Sequence, residues 1–436
     1  MSEPSIAPEV QPTSRSRLLR HRTLAKLGAI LVLALALLIP LGLLAPVIDD
    51  RATSHARAVA EIESDWGRAQ TVIGPVLVVP LEAGAAYVLP DELAVHTTLA
   101  PELRSRGIYS AVVYSAKLEL SGTFHAPAPA ELGVAADQIL WDKAYLAVAV
   151  SDLRGTGTTV MVDWNKAALA MLPGSQLQRW PSGLHVPVAI GAASAPIAFS
   201  FAVPVHGSKG VQFAPLGIHN EVRVDSPWPN PSFTGSFLPG TRTLGSDRFS
   251  AAWSVSYYGR DFGQAGQGDL PAGIERSLFG VDLLASVDSY RCVDRAVRYG
   301  VLFVVLAFMS FFLFEVVAKV RIHPFQYAMV GLALGVFFLI LLALSELVPF
   351  VAAYATASAG TIGLIVTYMV PVLRTGKRTA IAAALFAVSF GVLWVVLQAE
   401  DYALLAGAVV VFAALAVAVW LTRKVDWYAE DKPAAT

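Results

Sequence analysis

The sequence predicts an α-helical membrane protein with six transmembrane helices and a large, mainly-β domain outside the membrane. Of the 436 residues, 55% are hydrophobic and 15% are charged, whereas soluble domains carry about 25% charged residues. Apolar runs of about 20 residues recur along the chain, and this is the length that crosses a bilayer as a helix. Short segments rich in valine and aromatic residues separate the first run from the others, and such segments are typical of β-strands.

The first predicted transmembrane helix covers residues 27–48, and residues 1–26 before it are basic. A secretory signal peptide has an apolar region of only about 7–15 residues and a small-x-small cleavage site. The longer run at 27–48 therefore favours an uncleaved signal anchor over a removed signal. The polar residues that open the segment 1–26 predict a disordered cytoplasmic N-terminus.

Residues 49–297 form the predicted β-rich domain, which is long enough to bury a large core. Short runs between Pro and Gly residues predict strands at 71–80, 111–124, 145–153, 185–190, 196–205 and 251–258. Regular spacing of such strands favours an antiparallel sandwich or a barrel-like fold. The segment 92–108 is ambiguous between helix and strand.

Residues 298–421 predict five further transmembrane helices. These lie at about 299–318, 325–345, 348–370, 379–398 and 402–421. If the N-terminus is cytoplasmic, the short loops that contain Lys and Arg lie inside and those without them lie outside, as the positive-inside rule requires. Arg291, Arg295 and Arg298, just outside the second helix, are an exception, but they follow a long translocated domain, where the rule is weak. Both termini, including the tail 422–436, are then cytoplasmic, and the domain 49–297 lies outside.

The sequence contains no motif of a known catalytic or metal site. It lacks the nucleophile elbow G-x-S-x-G and the zinc motif H-E-x-x-H, and its single cysteine, Cys292, excludes a Cys-rich metal site. The net charge of −1 gives no global field that attracts nucleic acid. We therefore expect no enzyme activity, no cofactor, no metal and no nucleic-acid partner. The expected partners are the lipid bilayer and either other envelope proteins or an unknown ligand of the β domain.

Glu315 is an unusual residue for a membrane helix. The apolar run before it, 300–314, is only about 22 Å long as a helix, so a spanning helix has to include Glu315. An unpaired carboxylate inside the membrane boundary is costly, and Lys319 stands four residues later, in the favourable order for a helical ion pair. The next helix opens with His323-Pro324, which suits a polar cap followed by the first helical residue.

The sequence thus predicts a polar cluster at the hairpin between the second and third transmembrane helices. Its members are Glu315, Lys319, Arg321, His323 and Gln326. One interpretation is a structural lock that fixes how the two helices meet, and the other is a binding or proton-handling site. Gly331 and Gly335 form a G-x-x-x-G on the third helix, which favours close helix packing.

The stretch SPWPNPSF at 226–233 is the second candidate site. Proline stiffens the backbone into an extended form, so this loop can display Trp228 and Phe233 to a partner or to the bilayer. The alternative is that Trp228 fills the end of the β-sandwich.

The sequence resembles the CreD family of inner-membrane, cell-envelope integrity proteins. The resemblance is carried by RAVRYGVLFVVLAFMSFFLFE at 295–315 and RIHPFQYAMVGLALGVFFLILLALSE at 321–346, with support from WGRAQTVIGPVLVVP at 66–80 and from 226–233. It implies an N-terminal anchor, a large periplasmic domain and a C-terminal helical cluster in a Gram-negative inner membrane. It also implies a link to envelope-stress signalling and the response to β-lactams, and no catalytic residues.

The leading functional hypothesis is a non-enzymatic inner-membrane protein that maintains or senses the envelope through its periplasmic β domain. The alternatives are a transporter or lipid-handling protein that uses the helical bundle, and a periplasmic hydrolase of an unrecognised type. The membrane helices hold no chain of charges through their middles, which argues against an ion pump.

Overall fold

The computed structural model describes residues 14–190, 196–284, 289–318, 320, 322–398 and 403–423. The chain divides into two compact units. One unit is His55–Ser286, and the described parts of Met1–Ser54 and Val287–Thr436 make up the other. The first unit lies within the predicted β domain, 49–297.

The described residues contain eight α-helices. They are α1 (Ser14–Trp66), α2 (Pro129–Leu132), α3 (Gly273–Arg276), α4 (Ser289–Ala318), α5 (Pro324–Ser345), α6 (Phe350–Leu373), α7 (Gly376–Gln398) and α8 (Ala403–Thr422). In the part of the chain that the structure describes, five helices, α4 to α8, are long and apolar enough to cross a membrane. The predicted first span, 27–48, lies inside the longer helix α1 and is not among those five.

Seventeen β-strands are present in the described part of His55–Ser286. They are β1 (Gln70–Pro80), β2 (Ala85–Val88), β3 (Glu92–Arg106), β4 (Tyr109–Phe124), β5 (Tyr145–Val150), β6 (Met161–Trp164), β7 (Ala167–Ala170), β8 (Leu172–Pro173), β9 (Gly183–Pro187), β10 (Ile197–Ser208), β11 (Gly210–Phe213), β12 (His219–Ser226), β13 (Pro231–Gly235), β14 (Thr241–Leu244), β15 (Phe249–Ser256), β16 (Ala265–Gln267) and β17 (Phe279–Leu283). The unit is therefore mainly β, as predicted, and each of the six predicted strands overlaps an observed one.

The strands form two sheets that share one hydrophobic core. One sheet has the order β13-β17-β11-β1-β5-β9-β8, with β2 and β16 attached at β1, and the other has the order β14-β15-β12-β3-β4-β10-β6-β7. Most pairs are antiparallel, but β1 pairs with β11 and β3 pairs with β12 in parallel. The prediction of an antiparallel arrangement is wrong for these two pairs, because residue alternation determines which face a side chain takes and not which strand lies beside it.

The ambiguous segment 92–108 forms strand β3 and a turn. Its first eight residues alternate between exposed and buried, as expected for a strand with one face on the core and the other in solvent. Strand β1 is buried along most of its length, consistent with its central place in its sheet. The shared core includes Trp253 and Phe279, whose ring centroids are 5.7 Å apart.

The helical unit has an aromatic core between α4, α5, α6 and α7. Phe303 lies 4.8 Å from Phe390, and Phe337 lies 4.9 Å from the same ring. The hydroxyl of Tyr354 on α6 donates to the carbonyl of Phe390 on α7 at 2.6 Å, which joins these two helices by a buried hydrogen bond.

Candidate functional site

Glu315 is buried near the end of α4, with 8% of its surface exposed. Its Oε2 accepts a hydrogen bond from the Tyr327 hydroxyl at 2.6 Å, and its Oε1 accepts one from the backbone N–H of Ile322 at 3.1 Å. Tyr327 lies in the first turns of α5, so the carboxylate joins the end of one helix to the start of the next. The hairpin between α4 and α5 is closed by these two bonds.

Aromatic rings surround the Tyr327 side chain, which is fully buried. The Phe311 ring lies 4.9 Å from the Tyr327 ring, and the Phe308 ring packs edge-on at 6.0 Å. A hydrogen bond to a charged acceptor is stronger in such low-dielectric surroundings than in water. The same surroundings make an unsatisfied donor or acceptor costly, so the positions of Glu315 and Tyr327 depend on each other.

His323 is the N-cap of α5, as the sequence predicts. Its Nδ1 accepts from the backbone N–H of Phe325 at 3.2 Å, and its own backbone N–H donates to Oε1 of Gln326 at 3.0 Å. Both side chains thus satisfy backbone groups at the helix start. As a member of the predicted cluster, His323 was expected to approach Glu315, but its side chain caps α5 instead. Among the described residues, the Glu315 carboxylate accepts hydrogen bonds from the backbone N–H of Ile322 and from the hydroxyl of Tyr327.

Two members of the predicted cluster, Lys319 and Arg321, lie outside the described residues. The predicted ion pair between Glu315 and Lys319 therefore stays a prediction. Sequence reasoning missed Tyr327, although the residue stands in the stretch quoted above at 321–346. A tyrosine in the first turns of a membrane helix, beside a hairpin that carries a carboxylate, is the signal that could have found it.

The hairpin geometry fits a structural lock better than a proton path. A proton pathway needs several ionisable groups in succession. Among the described residues of α4 to α8, Glu315 is the one Asp, Glu, Lys or Arg whose residue is buried. Its hydrogen-bond partners close a loop between two helices and do not lead across the unit.

The second candidate site, Trp228 and Phe233, lies against the β core. Both side chains are half-buried and pack on the hydrophobic cluster of the two sheets. The Trp228 indole N–H donates to the carbonyl of Leu284 at 2.9 Å, and the Phe233 ring packs edge-on against Trp253 at 5.8 Å. The packing favours the interpretation that these rings fill the end of the sandwich, and the contact role remains a prediction.

A charged cleft of about 580 Å³ lies on the solvent face of the sheet that contains β3. His96 stands in it between two carboxylates, with Nε2 3.0 Å from Asp225 Oδ2 and Nδ1 3.5 Å from Glu119 Oε2. Arg223 pairs with Asp225 at 2.8 Å. Partial burial alone would raise the pKa of Asp225, but hydrogen bonds led by Arg223 lower it to about 2.

His125 is held between carboxylates in a similar way, at the start of the segment that leads to α2. Its Nδ1 lies 2.7 Å from Asp91 Oδ1 and its Nε2 lies 2.9 Å from Glu131 Oε2. Partial burial disfavours the charged imidazolium, but the hydrogen bonds to Glu131 and Asp91 outweigh it and raise the pKa of His125. The imidazolium, hydrogen-bonded on both sides, attaches α2 to the ends of the central strands β3 and β4.

This arrangement predicts that the attachment of α2 weakens at high pH. A histidine with a raised pKa in the folded state contributes its stabilisation fully below the ordinary value, about 6.5, and loses it as the pH rises through the raised value. We expect hydrogen-exchange protection of the peptide 125–133, corrected for intrinsic rates, to fall over this range in the intact protein. The variant His125→Asn should remove the pH dependence, while His219→Asn, at an exposed histidine of β12, should keep it. Unchanged protection across the range would contradict the role of the imidazolium.

These features define a membrane protein with several spanning helices and a large, mainly-β domain inserted in the chain between two of its long helices. The family model for "Inner membrane protein CreD" matches residues 22–428. The inner membrane protein CreD of Escherichia coli (strain K12) is 32% identical over 428 residues, which cover 94% of this chain and 94% of that protein. The chain belongs to the CreD family of inner membrane proteins, as the resemblance in the sequence implies.

Proposed function

We propose that this chain is a non-enzymatic protein of the cell envelope that maintains or senses envelope integrity through a periplasmic β domain. The observation that carries the proposal is the folded β unit, which stands in the chain between helix α1 and the membrane helix α4. The charged cleft around His96 is the surface of this unit best suited to a polar ligand from the envelope, because its cationic and anionic groups are partly exposed.

The functional test is complementation of a strain that lacks the chain's gene. The intact protein should restore resistance of the envelope to detergents and to a dye that enters only damaged cells. A variant of the cleft, His96→Ala with Arg223→Ala, should be inserted normally but restore little resistance. The matched control is Arg242→Ala on β14, an exposed arginine that does not line the cleft. Full restoration by the cleft variant would refute a role for the cleft, and full resistance of the deletion strain would refute the envelope role.

Six spans with both termini in the cytoplasm are the second part of the proposal. Support comes from Leu33, Leu37 and Leu44 of α1, which pack on the same hydrophobic cluster as α4 to α7. A Cβ at Gly331 of α5 would lie 2.2 Å from the Leu37 side chain, so the Leu37 side chain packs directly against the backbone of α5 at this glycine. Near the ends of these segments, Arg51 lies 3.7 Å from Glu346. This packing suits a first span at 27–48. At Gly335, the second glycine of the G-x-x-x-G on α5, an added Cβ would meet no atom within 4 Å.

The topology predicts which single cysteines an impermeant maleimide can reach from the periplasm. In a Cys292→Ala background, Tyr258→Cys on the β unit should be labelled in cells with a permeabilised outer membrane. Lys377→Cys, at the start of α7, should be labelled only after the inner membrane is opened. Labelling of Lys377→Cys in closed cells would refute the six-span arrangement, and protection of Tyr258→Cys would refute the periplasmic placement.

A lipid-handling role of the helices is the second candidate function. An apolar groove of about 260 Å³ lies between α4, α7 and α8, and a lipid acyl chain is the natural occupant of such a groove in hydrocarbon. Lining residues such as Leu306 and Val392 are apolar, while Ser310 and Ser389 add two hydroxyls. Native mass spectrometry should detect retained lipid, and Leu306→Trp, which fills the groove, should reduce it. If Leu306→Trp reduces both the retained lipid and the protection of the envelope, this role would be favoured over that of the β domain.

A further inference from the structure

The charged cleft around His96 lies over two neighbouring rows of side chains that run across the strands of its sheet. The first row is mainly charged, and the second consists mostly of small side chains. In register from β15 to β4, the first row is Ala252, Arg223, His96 and Glu119. In the same order, the second row is Ser254, Glu221, Ala94 and Ser121, and all eight residues line the cleft. The second row is therefore a low floor from which one long side chain, that of Glu221, rises.

The basic side chains that line the cleft already have carboxylate partners. Arg223 donates from Nε and Nη2 to the two carboxylate oxygens of Asp225, at 2.8 and 3.3 Å. The His96 ring lies between Asp225 and Glu119, so any charge on this ring is met by these two groups. Lys117, which follows the first row on β4, lies 2.5 Å from Glu119. Among the described residues, the cleft thus offers an anionic ligand no cation whose charge is unopposed.

Glu221 is the lining carboxylate that has no ion pair with any residue that the structure describes. Arg223 stands two residues later on the same face of β12, because side chains alternate along a strand. Its guanidinium is turned towards Asp225, which is the next residue on that face, and so away from Glu221. On the neighbouring strands, the register partners of Glu221 are Ser254 and Ala94. Both are small, so there is room beside the carboxylate for a group from a ligand.

The chemistry around Glu221 matches an ammonium group. A primary ammonium has three donors and no acceptor, and the cleft supplies the Glu221 carboxylate with the hydroxyl of Ser254 beside it. Glutamates on a sheet are mostly exposed and solvated, but Glu221 differs because it stands in a cavity of about 580 Å³. This volume is within the range of small-ligand sites, about 300–1,000 Å³. A carboxylate or phosphate would meet Glu221 as a like charge and would find the guanidinium of Arg223 already bonded.

The length of the floor indicates a ligand larger than a lone amine. The second row crosses from β15 to β4, which is three strand spacings or about 14 Å, and this is the length of about four extended residues. Hydroxyls stand at both ends of the row, on Ser254 and Ser121. The Arg223 side chain is 61% exposed, so its remaining N–H groups can donate along one side. An extended peptide has backbone donors and acceptors that can use these groups, whereas a free amine would use the carboxylate alone.

We propose that the cleft binds a short extended peptide through a primary ammonium group, with Glu221 as the counter-ion of that group. The peptide lies across the strands over the second row, and a lysine-like side chain reaches the carboxylate. Glu221 then sets the charge that the cleft accepts, and the hydroxyls and Arg223 hold the chain. The inference rests on the proposed role of the cleft as the ligand site of the β unit, and it names the class of ligand.

The test measures binding to the full chain in nanodiscs of zwitterionic phosphatidylcholine by saturation-transfer NMR, with empty nanodiscs as the blank. The probe is the peptide Ala-Ser-Lys-Ala, acetylated and amidated so that the lysine ammonium is its single charge. Two comparison peptides carry acetyl-lysine or glutamate at the lysine position. A fourth probe, 5-aminopentanol, has the same ammonium on a similar chain without the peptide backbone.

Glu221→Gln removes the charge and keeps the shape of the side chain, so it should weaken binding of the lysine peptide about fivefold. The matched control is Glu92→Gln, which removes a carboxylate from the same face of the sheet but does not line the cleft. This control should bind the peptide nearly as the unaltered protein does. We expect 5-aminopentanol to bind more weakly than the lysine peptide, and the acetyl-lysine and glutamate peptides to give no signal above the blank.

Equal losses in Glu221→Gln and Glu92→Gln would show a diffuse attraction and overturn the site. Binding of the glutamate peptide in place of the lysine peptide would overturn the assigned charge, and equal affinity for 5-aminopentanol and the peptide would overturn the peptide as the source of the ammonium. This inference and the proposed function can fail separately. Binding that requires Glu221, with full resistance restored by the cleft variant, would support the ligand class and refute the role of the cleft in the envelope. Absence of ammonium binding, with resistance lost in the cleft variant, would overturn the ligand class alone.

Discussion

Replacing Glu315 by leucine is expected to destabilise the helical unit by about 2–6 kcal/mol. The change leaves the Tyr327 hydroxyl and the Ile322 N–H without the carboxylate that accepts from both, and each unsatisfied buried donor costs about 1–3 kcal/mol. Glu315→Gln keeps an acceptor oxygen and the shape of the side chain, so it should cost less. The measurement is the thermal stability of the detergent-purified protein, followed by size-exclusion chromatography after heating.

Tyr327→Phe isolates the other half of the interaction. The loss of a donor to a buried charged acceptor should cost about 1.5–3 kcal/mol. Tyr354→Phe is the matched control, because its hydroxyl is also buried but donates to a neutral carbonyl, and it should cost about 1 kcal/mol. A larger loss in Tyr354→Phe than in Tyr327→Phe would contradict the special weight of the carboxylate.

The double variant, Glu315→Leu with Tyr327→Phe, tests whether the two side chains act as a pair. In the double variant, Tyr327→Phe removes the hydroxyl that Glu315→Leu alone would leave buried without an acceptor. We therefore expect a coupling of about 1–3 kcal/mol between the two changes. Strict additivity would refute the pairing. If Glu315→Gln is fully stable and inserted but abolishes envelope protection, Glu315 belongs to a functional site and the structural lock is not its role.

The five helices α4 to α8 could be predicted closely because their signal is simple. Length and apolar character define a span, and His323 with Pro324 marked the start of α5 to the residue. The partner of Glu315 was harder to find, since Tyr327 is twelve positions away and meets the carboxylate only after the chain reverses at the hairpin. A four-residue spacing on one helix can be seen in a sequence, whereas a contact across a turn depends on how the helices cross.

The β unit shows the same limit on a larger scale. The valine-rich run at 71–80 predicted β1, but nothing in it indicates that β1 lies parallel to β11, which is more than a hundred residues later in the chain. Parallel neighbours require a long connection, so local turn residues cannot reveal them. For Trp228, the proline-rich context indicated a stiff loop but not the direction of the indole. The indole lies on the core and donates to the carbonyl of Leu284, which is 56 residues away in the chain.

The C-terminal end of α1, from His55 to Trp66, belongs to the β unit and packs on its strands. The indole N–H of Trp66 donates to the carbonyl of Tyr114 at 3.1 Å. The ring of His206 stacks on the Trp66 ring with 4.2 Å between centroids and an angle of 5°. His206 in turn lies directly over Gly155, where no side chain intervenes.

Gly155→Ala is therefore expected to loosen α1 from the β unit. A Cβ at residue 155 would lie 2.4 Å from the His206 ring, and the backbone there has φ of +92°, a conformation that costs a non-glycine residue about 1–3 kcal/mol. Overpacking adds about 1–3 kcal/mol, so we expect a total loss of roughly 2–6 kcal/mol unless the His206 ring moves off Trp66. Either outcome should increase protease cleavage between Trp66 and β1 in the intact protein.

The neighbouring glycine provides the control for this experiment. A Cβ at Gly157 meets nothing within 4 Å, so Gly157→Ala should leave both the stability and the cleavage rate near those of the unaltered protein. If Gly155→Ala matches this control, the stack of His206 on Trp66 does not hold the helix. If Gly155→Ala increases cleavage and also abolishes envelope protection while the protein remains inserted, the attachment of α1 is part of the function and not only of the fold.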